Sequence, residues 1–141
     1  MIPATDEQMR ELLQNSTTWA IVGLSDNPMR PAWHVARMLK SKGKRIIAVH
    51  PTAESVHGEP AVRTLQKATD LVGHLDVVDC FVNSALVGAV VDEAITVGAS
   101  AVWMQLGVID EAAANRAQAA GLTVVMDRCP DEEWPRLIGR D

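Results

Sequence analysis

The chain has 141 residues, 18 acidic against 13 basic, for a formal net charge of −5, with 2 cysteines and 4 histidines. An acidic balance with interspersed signs argues against nucleic acid or an anionic membrane as the main partner, and no apolar run reaches the roughly eighteen residues of a membrane span. The N-terminus lacks the basic-then-apolar order of a signal peptide, and two cysteines, one of them deep in an apolar run, make no disulfide framework. The expectation is one cytoplasmic domain over 1–141, burying about 68–70% of its unfolded surface.

Thr5-x-x-Gln8 reads as a capping box for an N-terminal helix of about 5–15 with Met9, Leu12 and Leu13 as its apolar stripe. The first strand is about Thr18 to Val22. After a loop from Gly23 to Arg30, Pro31 fits the first position of a second helix, which buries Ala32, Val35, Ala36 and Leu39 and stops at Gly43. The basic cluster of Lys40, Lys42, Lys44 and Arg45 brackets that stop and reads as a solvated helix end. Ile46 to Val49 is a second apolar strand, ended by Pro51. Residues 52–65 carry the weakest pattern, with Gly58 to Val62 as a short edge strand that tolerates Pro60. Asp76 to Val82 is a strong strand, and Asn83 or Ser84 caps a helix that buries Val87, Val90, Val91 and Ala94 and closes at Gly98. Ala101 to Met104 is the next strand. Asp110 caps an alanine-rich helix ending at Gly121, Leu122 to Met126 is the last strand, and Pro130 opens a short acidic terminal turn.

Apolar runs of four to six residues alternating with helices of about ten imply a parallel sheet covered on both faces. The expected fold is therefore a three-layer α/β, Rossmann-like doubly wound sheet with strand order 3-2-1-4-5-6. Ligands in such sheets bind above the carboxyl ends of the strands where the order reverses. That rule selects 23–31, 49–52, 82–84, 104–107 and 127–130.

The stretch Gly23-Leu24-Ser25-Asp26-Asn27-Pro28-Met29-Arg30-Pro31 joins a strand to a helix, so its backbone N–H groups and the helix dipole suit a phosphate. It lacks the second and third glycines of the dinucleotide fingerprint, which points away from NAD. Arg30 suits a two-pronged grip on phosphate as well as an exposed helix start; Ser25 suits a helix cap or a phosphate contact. Val49-His50-Pro51 ends the second strand with no carboxylate before Glu54. His50 there would tolerate a ribose bearing its own phosphate, as in coenzyme A and NADP, and equally suits an ordinary loop position. Asn83 and Ser84 serve capping as well as ligand contact. Trp103-Met104-Gln105-Leu106-Gly107 mixes apolar surface with one amide, a wall suited to a pantetheine arm, with Trp103 itself placed beneath the site. His34, His57 and His74 read as structural or solvated, and no histidine pair has metal-ligand spacing. Cys80 reads as a core thiol. Cys129, beside Arg128, is either a buried residue at a strand end or a favoured thiolate able to form a mixed disulfide with CoA. Asp127 and Arg128 suit a mutual ion pair.

These stretches together resemble the stand-alone CoA-binding domain family, related to the N-terminal domain of the succinyl-CoA synthetase α subunit. The residues that carry the resemblance are Gly23-Leu24-Ser25-Asp26 with Arg30-Pro31, Val49-x-Pro51, Phe81-x-Asn83-Ser84, Trp103 to Val108, and Val124 to Pro130. The resemblance implies CoA bound by its nucleotide and phosphates along the first loop and the Val-x-Pro end, with the pantetheine running towards Gln105. The implied contacts are Gly23, Leu24, Ser25, Arg30, Val49, His50, Pro51, Asn83, Met104, Gln105 and Leu106. Ser25 to Met29 replaces the glycine-rich, lysine-bearing loop of the synthetases, and Thr52-Ala53 supplies no second lysine. The leading expectation is a non-catalytic module that binds CoA or an acyl-CoA. Its alternatives are an NADP-dependent oxidoreductase and an interaction scaffold whose nucleotide site has decayed.

Overall fold

The computed structural model describes residues 1–139. Its centre is a seven-stranded sheet built from β1 (Thr18–Val22), β2 (Arg45–Val49), β3 (Ser55–Val56), β4 (Glu59–Val62), β5 (Val77–Cys80), β6 (Ala101–Met104) and β7 (Thr123–Val125). The strand order is β3-β4-β2-β1-β5-β6-β7. All pairs are parallel except β3 with β4. The Rossmann-like class and the six expected strands are all present in the expected order, and β3 adds a seventh at the edge.

Crossover helices force both sheet faces to be apolar, and two clusters fill them. On one face Ala20, Val22, Ile47, Val78, Val102 and Val124 pack under α3 (Leu65–Val72), α4 (Ser84–Thr96) and α5 (Glu111–Ala119). On the other, Trp19, Ile21, Ile46, Val77, Trp103 and Val125 pack under α1 (Asp6–Asn15), α2 (Pro31–Ser41) and α6 (Pro130–Leu137). Trp19 and Trp103 meet with ring centroids 5.9 Å apart. Each such fully buried side chain contributes on the order of 1.5–3 kcal/mol, far above any single surface ion pair.

The helix ends follow the sequence closely. Thr5 and Gln8 form a reciprocal capping box, Pro31 opens α2, and Asn83 and Asp110 cap α4 and α5 through their side chains. Gly43, at φ +85, turns the chain after α2 in a conformation that costs other residues dearly.

Three elements differ from the expectation. The linker after β4 holds a full helix, α3, capped by the Thr64 side chain and docked through Leu65 and Ala68. The weak segment 52–65 makes a β3–β4 hairpin around His57-Gly58, both at positive φ. Pro60 lies opposite Ser55 of β3, while only Ala61 and Val62 pair with β2, so its missing N–H interrupts no parallel ladder. The terminal acidic turn is the helix α6, whose Trp134 joins the core and whose Arg136 binds Asp6 of α1 and the buried Glu133. No helix among the described residues is long and apolar enough to cross a membrane.

Candidate functional site

The topology reverses between β1 and β5, and the loops above that point form one cleft of about 820 Å³. Its first wall is the loop after β1. Gly23 sits at φ +93 with its Cα packed on β5's end, where an added Cβ would lie 2.3 Å from the Phe81 carbonyl oxygen. Its N–H donates to Val49 O at 2.8 Å, because the β1–β2 ladder runs one residue past the strand. The expected anion donors are therefore not at Gly23. Within residues 23–33, the N–H groups of Ser25, Asp26 and Ala32 are the ones left without an acceptor.

Ser25 does not cap α2. Its Oγ accepts from Asn27 N at 3.3 Å, and Asn27 Oδ1 accepts from Met29 N at 2.9 Å, two short loops that stiffen the turn. The N-cap of α2 is Arg30, which makes no side-chain capping bond. Among the described residues its guanidinium has neither an ion pair nor a hydrogen bond, and it lines the cleft. A rim cation without a protein anion is available to a ligand's anion.

The second wall is the turn after β2. His50 Nδ1 accepts the N–H of Thr52 at 3.1 Å and of Ala53 at 3.0 Å, which leaves the ring proton on Nε2. Arg63, just past β4, donates to the carbonyls of His50 (2.9 Å), Ala53 and Thr52. Sequence reasoning missed Arg63, since only the β2–β4 pairing brings it beside this turn.

The third wall comes from Phe81, Gln105, Leu106 and Val108, closed by Cys129 and Glu132 at the start of α6. Gln105 is 7% exposed and its Oε1 has no hydrogen-bond partner. Cys129 is 8% exposed. Burial pushes its thiol up, while the Gln105 side-chain amide and the N–H groups of Asp131 and Glu132 pull it back. The neighbouring Arg128 does not produce a favoured thiolate. Asp127 and Arg128 also do not pair: Asp127 Oδ1 accepts Gly107 N at 2.7 Å, and the Arg128 carbonyl accepts Trp103 Nε1 at 2.9 Å.

Of the residues expected at the site, Gly23, Ser25, Arg30, His50, Pro51, Gln105 and Leu106 line this cleft. The other four do not. Leu24 and Met104 are fully buried core, Val49 is 6% exposed at its strand end, and Asn83 Oδ1 is engaged by Leu86 N at 3.1 Å as the α4 cap. Ser84 Oγ instead bridges Gly107 O and Ile109 N, holding the β6–α5 loop. Asn27 of the first loop and Phe81 of the Phe81-x-Asn83-Ser84 stretch, for which the sequence suggested no contact role, also line the cleft, and Glu132 is a lining residue that the sequence did not single out. Glu132 places a carboxylate in the cleft.

A more polar groove of about 420 Å³ shares Ser25 and His50 with the cleft and is otherwise lined by Asp26 and residues 52–55. His34, His57 and His74 lie outside both, bonded to Pro28 O, Trp33 O and Ser100 Oγ respectively. Cys80 is fully buried, and burial followed by the Asp79 charge pushes its thiol beyond the useful range. Among the described residues no group of three His, Cys, Asp or Glu could hold a metal ion.

The family model for the CoA binding domain matches residues 17–135. The chain is 34% identical over 122 residues to the YneT protein of Bacillus subtilis (strain 168), covering 86% of this chain and 88% of that one. A hypothetical protein from Pyrococcus horikoshii OT3 superposes with a TM-score of 0.89 at 34% identity, over 99% of this chain and 98% of that one. Prb, a protein redesigned for binding, superposes with a TM-score of 0.91 at 35% identity, over 100% and 98% of the two chains. The matched region contains every wall of the cleft, and the chain belongs to the CoA binding domain family.

Proposed function

We propose that this protein binds coenzyme A or an acyl-CoA in the cleft above β1, β2, β5 and β6 and carries out no reaction on it. The observation that carries the reading is the unpaired Arg30 guanidinium beside open amides at the switch point of a CoA binding domain. That combination suits a pyrophosphate. The groove beside it offers hydroxyls, His50 and the carboxylates of Asp26 and Glu54, groups that suit a sugar and the amine of a base. The third wall is largely apolar carbon from Phe81, Leu106 and Val108 with the Gln105 side chain beside it, a surface that suits a pantetheine arm. The residues present therefore fit the ligand.

The absence of chemistry rests on the state of the titratable groups. The Nδ1 of His50 is taken by two backbone donors, so it is not poised as a base, and Cys129 is held towards its neutral thiol. Calorimetric titration with CoA is the test, with NADP as the competitor class. Saturable heat with CoA, undiminished by NADP, is expected. No heat at millimolar CoA rejects the reading, and tight binding of NADP that CoA fails to displace replaces it with an oxidoreductase.

A further inference from the structure

The polar groove beside the cleft has a charge balance that narrows what it can hold. It encloses about 420 Å³, shares Ser25 and His50 with the cleft, and has no lysine or arginine among the described residues that line it. Asp26, from the loop after β1, and Glu54, from the loop after β2, put two carboxylates into it. Both side chains are exposed, and among the described residues neither has an ion pair or a side-chain hydrogen bond.

The groups that could answer a phosphate there are already engaged. Arg63, the arginine that reaches this turn, gives its guanidinium to the carbonyls of His50, Thr52 and Ala53. The N–H groups of Thr52 and Ala53 donate to His50 Nδ1, so that ring offers the groove a single N–H, at Nε2. The open amides of Ser25 and Asp26 are committed, with Arg30, to the pyrophosphate of the reading above. What remains is acceptor-rich, two carboxylates with the hydroxyls of Thr52 and Ser55. The ligand end that complements this surface donates hydrogen bonds and carries no phosphate. The ribose of CoA bears a 3′-phosphate, a group of about −1.5 to −2 charges at neutral pH. A ribose with both hydroxyls free offers donors instead, and a carboxylate beyond the second strand of such a sheet is the group that reads them.

We propose that Asp26 and Glu54 make the groove selective for ligands whose adenosine ribose keeps its hydroxyls free, so that 3′-dephospho-CoA and its thioesters are held more tightly than CoA. The inference rests on the CoA reading above and narrows its ligand class. The ribose hydroxyls donate to the two carboxylates, while Arg30 and the loop amides take the pyrophosphate. CoA itself is admitted with its 3′-phosphate kept clear of the groove, against the repulsion of like charges. The same repulsion disfavours NADP through its 2′-phosphate.

The test titrates the intact protein calorimetrically with dephospho-CoA and with CoA, in parallel, at low and at raised salt. Dephospho-CoA should bind at least about tenfold more tightly at low salt, a margin that like charges across a wet groove can supply. That margin should shrink as salt rises, because the opposed charges are screened. Asp26→Asn combined with Glu54→Gln should bring the two affinities together, mainly by tightening CoA, and each single variant should close part of the gap. The urea midpoints of all three variants should match the parent's, since both side chains are exposed and unpaired. CoA bound by the parent as tightly as dephospho-CoA overturns the proposal and leaves the CoA reading standing. A gap that survives undiminished in the double variant overturns it too. No heat with either ligand at millimolar concentration sinks the CoA reading as well.

Discussion

Gly23 and Phe81 are joined across the switch point by a contact only glycine can make. The 2.3 Å separation that a Cβ at Gly23 would have from Phe81 O is a clash with backbone, which cannot swing aside as a side chain can. The residue also sits at φ +93, where an L side chain is strained in any case. Gly23→Ala should therefore lower stability by about 1–3 kcal/mol. It should weaken CoA binding too, because relief requires β1 and β5 to part beneath the cleft floor. Urea denaturation reads the first effect and calorimetry the second; an alanine variant equal to the parent in both would show that the contact is dispensable.

Arg30 separates binding from stability. Its side chain is exposed and bonded to no described residue, so Arg30→Ala should leave the denaturation midpoint essentially unchanged. Removing a charged phosphate contact should cost about 1.5–3 kcal/mol of binding, a loss of more than about tenfold in affinity. Arg30→Lys should recover part of it, as a point charge without the paired donors. The salt dependence of CoA affinity should flatten in the alanine variant. If Arg30→Ala binds CoA as the parent does, the pyrophosphate lies elsewhere.

The contrast between what the sequence showed and what it hid has a common cause in pairing distance. β1 and β6 were readable at their observed bounds because each is a short apolar run between polar residues or glycine. Caps at Thr5, Asn83 and Asp110 were readable because their partners lie three residues away. The helix α3 was not, since only Leu65 and Ala68 of its eight residues enter the core and no breaker separates it from β4. The hairpin turn was masked by His57, which stands at positive φ where Asn or Asp is the usual signal. At the site, the loop ends were legible as polar stretches after apolar runs. Arg63 and Glu132 were not, because long-range packing alone brings the end of β4 and the start of α6 to the cleft.

Arg63 offers a test of loop order without touching the ligand. Its guanidinium holds the carbonyls of His50, Thr52 and Ala53, fixing the turn that aims the His50 ring. Arg63→Ala removes these bonds from an exposed position, so global stability should fall by no more than about 1 kcal/mol. Amide hydrogen exchange at Thr52 and Ala53 should quicken well before that of the β2 core. CoA affinity should drop several-fold as the loop pays ordering entropy on binding. Unchanged exchange at those two amides would mean that the His50 ring alone holds the turn.

Asp79 predicts an unusual pH dependence for the fold. It lies in β5 opposite Ile21 on one side and Trp103 on the other, fully buried, with both carboxyl oxygens unbonded. Burial drives its pKa well above 3.8, and the Cys80 amide alone counters this, at a geometry short of a hydrogen bond. The folded protein therefore keeps the proton that the unfolded chain releases above pH 3.8. With more protons bound when folded, stability must fall as pH rises from that point until the folded carboxyl finally ionises. The loss is about 1.4 kcal/mol per pH unit over that window. Asp79→Asn keeps the shape and removes the titration, so the variant should gain on the parent steadily from about pH 4 upwards, with its midpoint in urea higher at neutral pH. A stability difference that stays constant across that range would show that Asp79 is ionised in the fold and has found a partner.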